Sequence, residues 1–250
     1  GLSPSLFNTY RDCSLKFYFK YIAGLEETED PEEGIDTASF GTVIHAVLEK
    51  NYSSFVNQSL EVQKLKQAFN DLSSKVENEF RAIQVNGDLT LGTNLLNVKV
   101  AEKYLQEFLA TEIKLLGDLK KEGTTLKLVH LEKELTSTIE VNGLTINLKG
   151  KADRIDQIGN TIRIIDYKTG NVEASQALKI KDWEALKDEK FNKGFQLLMY
   201  AYLWSKTENT NKFELHSGIY SLRSLSKGLM LVSVDGAYNL NEEILQQFED

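Results

Sequence analysis

Apolar residues recur every three or four positions through much of the first 120 residues, a spacing typical of amphipathic helices. One long run of this kind extends from Val62 to Ile83. Near the start, Ser3 and Pro4 fit a helix N-cap followed by proline at the first helical position, and Gly24 is typical of a helix end. The predicted helices cover residues 4–23, 40–55, 62–83 and 94–119, with an acidic loop at 26–37 and a polar turn at Asn86-Gly87 between them.

The pattern changes after Gly123, where β-branched and alternating apolar residues predict strands. Asn142-Gly143 and Gly159-Asn160 are tight-turn sequences, so the strands that they join should form an antiparallel meander. This order predicts an α/β fold, in which a central mixed sheet is flanked by helices and preceded by an N-terminal helical region. We expect one domain over residues 1–250, with a mainly helical part at 1–122 and the sheet with its helices at 123–250. The predicted strands cover residues 126–139, 144–158, 161–167, 213–222 and 229–234, and the further helices cover 174–187, 194–206 and 241–248.

Charge limits the functions that the 250-residue chain can have. Its 29 Lys and Arg against 37 Asp and Glu give a net charge of −8, which argues against a protein that holds nucleic acid by bulk positive charge. A nuclease is not excluded, because carboxylates that bind a cation count as negative in this sum. No run approaches the ~20 apolar residues of a membrane helix, and the N-terminus lacks the layout of a signal peptide. We therefore expect a cytoplasmic protein with no membrane contact.

Two aspartates and a lysine in the meander are the strongest candidates for chemistry. Asp153 and Asp166 lie equally far from the Gly159-Asn160 turn, so simple hairpin pairing places them opposite each other on one face. Like charges in that arrangement repel unless a cation neutralises them, and oxygen ligands of this type suit Mg²⁺ or Mn²⁺. Lys168 follows Asp166 by two positions and faces the same side, where an ammonium can stabilise charge on phosphate. The alternative is a structural hairpin with a surface ion pair.

Four motifs resemble, in the same order, those of the RecB-like branch of the PD-(D/E)xK nuclease superfamily, which includes the nuclease domains of RecB and AddB helicase–nucleases. Together they span about residues 3–203. The resemblance implies a restriction-endonuclease-like core that hydrolyses phosphodiester bonds with a divalent metal. The motifs are an opening helix at 3–19, Phe40-Gly41-Thr42-Val43-Ile44-His45, the strand segments Gly150–Asp156 and Ile165–Gly170, and Gln196-x-x-x-Tyr200.

The resemblance implies a Mg²⁺ or Mn²⁺ site. His45, Asp153 and Asp166 correspond to the metal-binding side chains of the family, and the backbone carbonyl of Tyr167 completes the ligand set. A lone helical histidine more often has a structural role, but the Phe-Gly-Thr context of His45 favours the metal. Lys168 corresponds to the catalytic lysine, and the two aspartates share the catalytic assignment with it.

Other residues near the motifs receive weaker assignments. Gln196 and Tyr200 lie four positions apart on one helical face and correspond to the family's pair near the scissile phosphate. A buried tyrosine with a capping glutamine is the alternative for them. Glu132 begins the first strand, where the family often has glutamate, and it is a minor candidate because an exposed strand charge explains it equally well. Arg154 and Asp156 alternate away from the face of Asp153, so we expect them to be structural.

Cys13, the single cysteine, corresponds to the first iron–sulfur ligand of some relatives, which carry three more cysteines beyond the nuclease core. No iron–sulfur cluster is possible within this chain alone. Gly1 in place of a start methionine and the abrupt end at Asp250 suggest a fragment, so the cluster is either absent or completed by a longer chain. Without a cluster, Cys13 is expected to be a small buried hydrophobe.

The sequence predicts a metal-dependent DNA nuclease, and more specifically the exonuclease module of a DNA-repair helicase–nuclease. Its expected partners are DNA and a helicase region in the same or a partner chain. Two alternatives remain open. A catalytically silent DNA-binding or scaffolding module of the same fold would be expected to lack the aspartates or the lysine, which are present. A phosphohydrolase acting on small nucleotides would be expected to carry a glycine-rich phosphate loop, which the sequence lacks.

Overall fold

The computed structural model describes residues 1–25, 35–83, 88–207 and 212–250. Most of the predicted acidic loop at 26–37 and the predicted turn at Asn86-Gly87 lie outside the described residues. The helices are α1 (Pro4–Asp12), α2 (Ser14–Phe17), α3 (Thr37–Tyr52), α4 (Val62–Ala68), α5 (Leu72–Ala82), α6 (Gly92–Lys121), α7 (Ala174–Ala177), α8 (Asn192–Thr207) and α9 (Glu242–Glu249). The strands are β1 (Leu126–Val141), β2 (Leu144–Ile158), β3 (Thr161–Lys168), β4 (Lys179–Ile180), β5 (Glu214–Ser221), β6 (Met230–Leu231) and β7 (Ser233–Val234).

A five-stranded mixed sheet in the order β1–β2–β3–β5–β6 forms the centre of the described chain. Strands β1, β2 and β3 make the predicted antiparallel meander. Strand β5 runs parallel to β3, and β6 pairs antiparallel with β5. Strands β4 and β7 form a separate parallel pair. The predicted α/β fold, with a central mixed sheet flanked by helices and N-terminal helices before it, is therefore confirmed.

The turn between β1 and β2 has the backbone conformation that its sequence predicts. Asn142 and Gly143 both have positive φ, at 52° and 76°, as a type I′ turn requires. Val141 and Leu144 pair directly on either side of the turn. A two-residue turn of this type matches the twist of the strands, so it fixes the register of the long hairpin.

The register between β2 and β3 also follows the prediction. Gly159 turns with φ of 55°, and the pairing continues up to Arg154 opposite Ile165. The next position on each strand is occupied by Asp153 and Asp166. The two aspartates are therefore neighbours across the strands at the end of this ladder.

Helices cover both faces of the sheet, because successive residues of the central strands are apolar on alternate sides. Ile155 and Ile164 belong to one core, together with residues of α8 and α9. Ile165 and Tyr167 belong to a second core on the other face, together with residues of α3, α5 and α6. Helix α1 packs against α8, where the rings of Phe7 and Phe195 meet edge to face. This arrangement leaves the polar end of the β2–β3 ladder between α3 on one side and α8 on the other.

Two predicted helices are interrupted. The run at 62–83 divides into α4 and α5, because Asp71 adopts a left-handed conformation with φ of 56° between them. Leu65 and Val76, on either side of the break, are buried in the same core, so the break lets both pieces pack on α3 and α6. The first helix breaks at Cys13, which is extended and caps α2 through its sulfur. Tertiary packing and local capping decide both breaks, and helical periodicity does not reveal them.

The predicted helix over 174–187 is wrong in its middle part. Only α7 and a 3₁₀ segment at Trp183–Lys187 are helical. The residues between them form β4, which pairs with β7 from a distant part of the chain. The same pairing divides the predicted strand at 229–234 into β6 and β7. Long-range strand pairing of this kind overrides local propensity.

Candidate metal centre and active site

Helix α3 brings His45 to the end of the β2–β3 ladder. The helix is capped by Asp36, whose carboxylate accepts the Ser39 amide at 2.8 Å. His45 Nε2 lies 3.0 Å from the carbonyl oxygen of Tyr167, and because a carbonyl only accepts, Nε2 carries the proton. Nδ1 lies 3.5 Å from Oδ1 of Asp153. Burial alone lowers the pKa of His45, but the interaction with Asp153 and the charges of other carboxylates outweigh it and raise the pKa.

Three neighbouring strands place three carboxylates in one row. The β1–β2 register sets Glu132 opposite Asp153, and Asp166 is the neighbour of Asp153 on the other side. Glu132 has a positive φ of 46°, an unusual backbone conformation for a residue with a side chain. Burial, together with the charge of Asp153, raises the pKa of Glu132. The repulsion that the sequence predicted between Asp153 and Asp166 therefore involves a third acid as well.

A compact ligand cluster forms where α3 meets this row. His45, Glu132 and Asp153 each offer one ligand atom, and these atoms all lie within 4.8 Å of one another. Two carboxylate oxygens and an imidazole nitrogen are a donor set that Mn²⁺ and Mg²⁺ accept, with Mn²⁺ preferred where nitrogen takes part. The residues present therefore fit a divalent cation. Glu132, a minor candidate in the sequence, belongs to this cluster.

Asp166 lies beside the cluster and is held by two other side chains. Lys168 Nζ lies 3.0 Å from Oδ1 and 2.7 Å from Oδ2 of this carboxylate, and Gln196 donates to Oδ1 at 3.1 Å. Burial raises the pKa of Asp166 to about 6, against the opposing charge of Lys168 and with the added repulsion of Asp153. Gln196 also donates to the hydroxyl of Tyr200 at 2.7 Å. The structure thus connects Lys168, Gln196 and Tyr200 to Asp166, directly or through one neighbour.

A glycine lets α8 approach the sheet closely enough for this contact. A Cβ atom at Gly150 would lie 2.8 Å from Cδ1 of the Tyr200 ring and 3.1 Å from a methyl group of Leu203. The first distance is shorter than side-chain contacts allow, and the second is tighter than most. Gly150 therefore sets the distance between β2 and the helix that carries Gln196 and Tyr200.

The opposite face of the same strands carries a buried charge network. Arg154 and Asp156 are fully buried, and Arg154 donates to Glu112 of α6 at 2.9 Å and to Asp156 at 2.8 Å. Arg163 completes the network through Asp156 at 2.7 Å. Burial raises the pKa of Asp156, but the two arginines outweigh it and lower the pKa. The network ties α6 to the strand that carries Asp153, so Arg154 and Asp156 are structural, as the strand alternation predicts.

Two clefts open on the site and meet at Lys151 and Lys168. The first, of about 630 Å³, extends toward the N-terminus of α1 and is also lined by Ser3, Gln196 and Tyr200. The second, of about 490 Å³, extends along the N-terminal half of α3 and contains His45 and Glu132. Since they share two lysines, the clefts form one groove beside the end of the β2–β3 ladder. Glu132, Lys151 and Lys168 line this groove, whereas Asp153 and Asp166 are buried.

Acidic residues on neighbouring strands beside a lysine form a site whose chemistry suits metal-assisted phosphodiester cleavage. The chain belongs to the PD-(D/E)XK nuclease superfamily, whose family model matches residues 1–248. The match covers all four motifs and the whole groove.

Curated relatives give a second comparison. The chain is 29% identical over 223 residues to a protein of Carboxydothermus hydrogenoformans, and 26% identical over 230 residues to one of Alkaliphilus metalliredigens. The name of each describes one of the subunits of an ATP-dependent helicase/deoxyribonuclease. The matches cover 85% and 86% of this chain but only 19% of each relative, so the chain spans about a fifth of the proteins it resembles. A solved structure titled "Crystal structure of SSO0001" aligns over 98% of this chain and 82% of its own, at 14% identity and a TM-score of 0.27.

Cys13 differs from one expectation. Its thiol is exposed, so the prediction of a small buried hydrophobe is wrong. The residue lies in the short extended link between α1 and α2, where its sulfur accepts the amide of Lys16 at 3.4 Å.

Among the described residues, no helix combines the length and apolar character needed to cross a bilayer.

Proposed function

We propose that this chain is a divalent-metal-dependent deoxyribonuclease domain. The observation that carries the proposal is the position of the His45–Glu132–Asp153 cluster beside the Asp166-x-Lys168 strand, at the junction of two clefts. Membership of a nuclease superfamily supports the same reaction class.

His45, Glu132 and Asp153 would hold the cation, with Asp166 and the carbonyl of Tyr167 adjacent. When bound, the cation supplies positive charge to the scissile phosphate and lowers the pKa of the attacking water. Because an imidazole belongs to the donor set, Mn²⁺ should bind more tightly than Mg²⁺. The low exposure of Asp153 restricts this ligand before the cation arrives, which reduces the cost of ordering it.

Lys168 is the proposed source of fixed charge on the phosphate. Two short contacts to Asp166 hold its ammonium, and 31% of the side chain remains exposed toward the groove. Burial lowers the pKa of Lys168, but the charge and hydrogen bond of Asp166 outweigh it and raise the pKa, so the group is a cation at neutral pH. A preorganised charge of this kind stabilises the negative charge that develops in phosphoryl transfer.

Gln196 and Tyr200 position this machinery from α8. Gln196 uses its amide to connect Asp166 with the Tyr200 hydroxyl. Burial raises the pKa of Tyr200, so its hydroxyl keeps its proton at neutral pH and can donate a hydrogen bond into the first cleft. Both side chains line that cleft together with Lys168.

DNA is the proposed substrate, because the curated relatives are named as subunits of helicase/deoxyribonucleases. Since the chain spans about a fifth of their length, the same names support a nuclease module that works with a helicase region in the same or a partner chain. Exonuclease action is proposed from the resemblance of the motifs to RecB-like exonucleases.

End-labelled linear DNA and closed circular DNA test the proposal together. With millimolar Mn²⁺ we expect the chain to degrade linear DNA and to leave the circular form intact, and a chelator should stop the reaction. Nicking of the circle would show an endonuclease. Degradation that persists in chelator would contradict metal dependence, and DNA binding without cleavage in any metal would identify a catalytically silent module.

A further inference from the structure

Lys151 lies where the two clefts meet, and the proposed reaction gives it no role. It shares this position with Lys168, but the two lysines differ in how firmly they are held. The Lys168 side chain is 31% exposed and contacts both oxygens of a buried carboxylate. The Lys151 side chain is 56% exposed. Of these two side chains, Lys151 is therefore the more exposed and the less constrained.

Lys151 is paired with a residue of the ligand cluster. Its Nζ lies 2.7 Å from Oε2 of Glu132, and Glu132 also faces Asp153 and His45 within the 4.8 Å cluster. The Glu132 carboxylate thus pairs with the Lys151 ammonium and also faces the candidate cation position. A dication placed beside Glu132 would neutralise the charge that holds Lys151 and would repel the ammonium at short range.

We propose that Lys151 is a phosphate-binding residue of the groove, and that a divalent cation at His45–Glu132–Asp153 releases it for this role. The inference rests on the proposed function and adds a second anion contact, beside the scissile phosphate. A flexible stem with three N–H donors suits a phosphodiester oxygen. The cleft on that side is lined by further polar groups, from Ser3, Ser5 and Lys149, as a track for a phosphate backbone requires.

The release couples two binding events. Without a cation, Lys151 neutralises Glu132 and is withheld from DNA. With a cation, the same ammonium becomes available, so metal should raise DNA affinity, and by linkage DNA should raise metal affinity by the same factor. The coupling depends on the Lys151 side chain, so Lys151→Ala should abolish it.

Binding measurements on a cleavage-defective background test the proposal. The background is the 250-residue chain with Lys168→Ala, and the probe is a labelled single-stranded oligonucleotide followed by fluorescence anisotropy. In Mn²⁺, adding Lys151→Ala should weaken binding on the order of tenfold and reduce the slope of log affinity against log salt by about one. Without Mn²⁺, the added Lys151→Ala substitution should change DNA affinity little. Lys127→Ala, at an exposed position of β1 outside both clefts, should behave like the background.

A second measurement separates this role from a structural one. Titration of Mn²⁺ without DNA should give Lys151→Ala an affinity equal to or tighter than the background, because a competitor for Glu132 is gone. Weaker Mn²⁺ binding would make the ion pair part of the metal site and overturn the proposal, as would equal losses of DNA affinity with and without Mn²⁺. Lys151→Arg should restore most of the DNA affinity.

The failure of this inference is distinguishable from the failure of the proposed function. If the background protein binds Mn²⁺ and DNA and Lys151→Ala changes neither the affinity nor the salt slope, only the role of Lys151 is overturned. If the background protein binds no Mn²⁺ or no DNA, the proposed function fails and the role of Lys151 fails with it.

Discussion

The backbone amide of Tyr167 donates a hydrogen bond of 2.7 Å to Oδ2 of Asp153 on the neighbouring strand. This contact fixes one oxygen of the carboxylate, while Oδ1 faces Nδ1 of His45 at 3.5 Å. The same side chain therefore closes the end of the β2–β3 ladder and contributes to the candidate metal cluster. Substitutions of Asp153 must be chosen to separate these two roles.

Asp153→Asn should keep the fold and lose the metal. The amide oxygen of asparagine can still accept from Tyr167, but its NH₂ group replaces a ligand oxygen. We expect a melting temperature within a few degrees of the metal-free wild type and no further rise in millimolar Mn²⁺, whereas the wild type should be stabilised by the cation. Thermal unfolding with and without Mn²⁺ measures the melting temperature and its rise on metal binding. Asp153→Ala is the comparison, since loss of the buried acceptor should cost about 1–3 kcal/mol. A full Mn²⁺ shift in Asp153→Asn would remove Asp153 from the ligand set.

The raised pKa of Asp166 should make the metal-free protein less stable as pH rises. The folded pKa of about 6 exceeds the ordinary 3.8, so between these values the folded state binds more protons than the unfolded state. Stability due to this group is therefore greatest below pH 4 and is lost up to about pH 6, by on the order of 1–3 kcal/mol. Asp166→Asn should remove this loss. Denaturant unfolding from pH 4 to 7 measures the free energy of unfolding of both proteins. If this free energy changes with pH equally in the two proteins, the pKa of Asp166 is not raised in the folded state.

Glu132 should prove to be a ligand although it was the weakest candidate in the sequence. Glu132→Gln keeps the shape of the side chain but removes its charge from the cluster. Changes in groups that only support metal ligands commonly cost 10- to 100-fold, so a direct ligand should cost at least about tenfold in Mn²⁺ affinity. Calorimetric titration measures it. Glu140→Gln, at an exposed position near the far end of the same hairpin, is the control, and equal affinities for the two variants would return Glu132 to a structural role.

Local signals in the sequence were enough to predict the sheet and the register at the site. The turn at Asn142-Gly143 defines one hairpin, and the symmetric positions of Asp153 and Asp166 about the next turn define the other. The shared helical face of Gln196 and Tyr200 also follows from one local rule, their spacing of four residues. These features depend on residues within one or two elements, which is why periodicity and turn chemistry reveal them.

Long-range contacts account for what the sequence did not reveal. Glu112 lies on the apolar stripe of α6, near Phe108 and Leu116; a charge there signals a buried partner, but Arg154 is identified only by the packing of α6 on the sheet. The role of Lys151 depends similarly on Glu132 across the hairpin. The short pairing of β4 with β7 joins positions far apart in the chain, and no local pattern predicts it.

Gly150→Ala should destabilise the protein although the change is small. The added methyl would meet the Tyr200 ring at 2.8 Å, so α8 or the strand must shift, at a cost of about 1–3 kcal/mol. The rate of DNA cleavage should also fall, by more than the loss of folded protein explains, because the shift displaces Gln196 from Asp166. Gly117→Ala is a matched control: this helical glycine has open space for a Cβ, and the change should stabilise by about 0.5–1 kcal/mol. Urea unfolding distinguishes the two, and a stable, fully active Gly150→Ala would refute the close approach.

Metal-dependent cleavage is proposed to occur at the Asp166-x-Lys168 strand. The most direct measurement compares wild type and Lys168→Ala, purified side by side, in Mn²⁺ with end-labelled linear DNA. Because Lys168 contributes charge to the phosphate and is not a metal ligand, its loss should slow cleavage on the order of 10²-fold or more, while the Mn²⁺ thermal shift remains and DNA affinity changes only a few-fold. Cleavage by Lys168→Ala as fast as by the wild type would contradict the account.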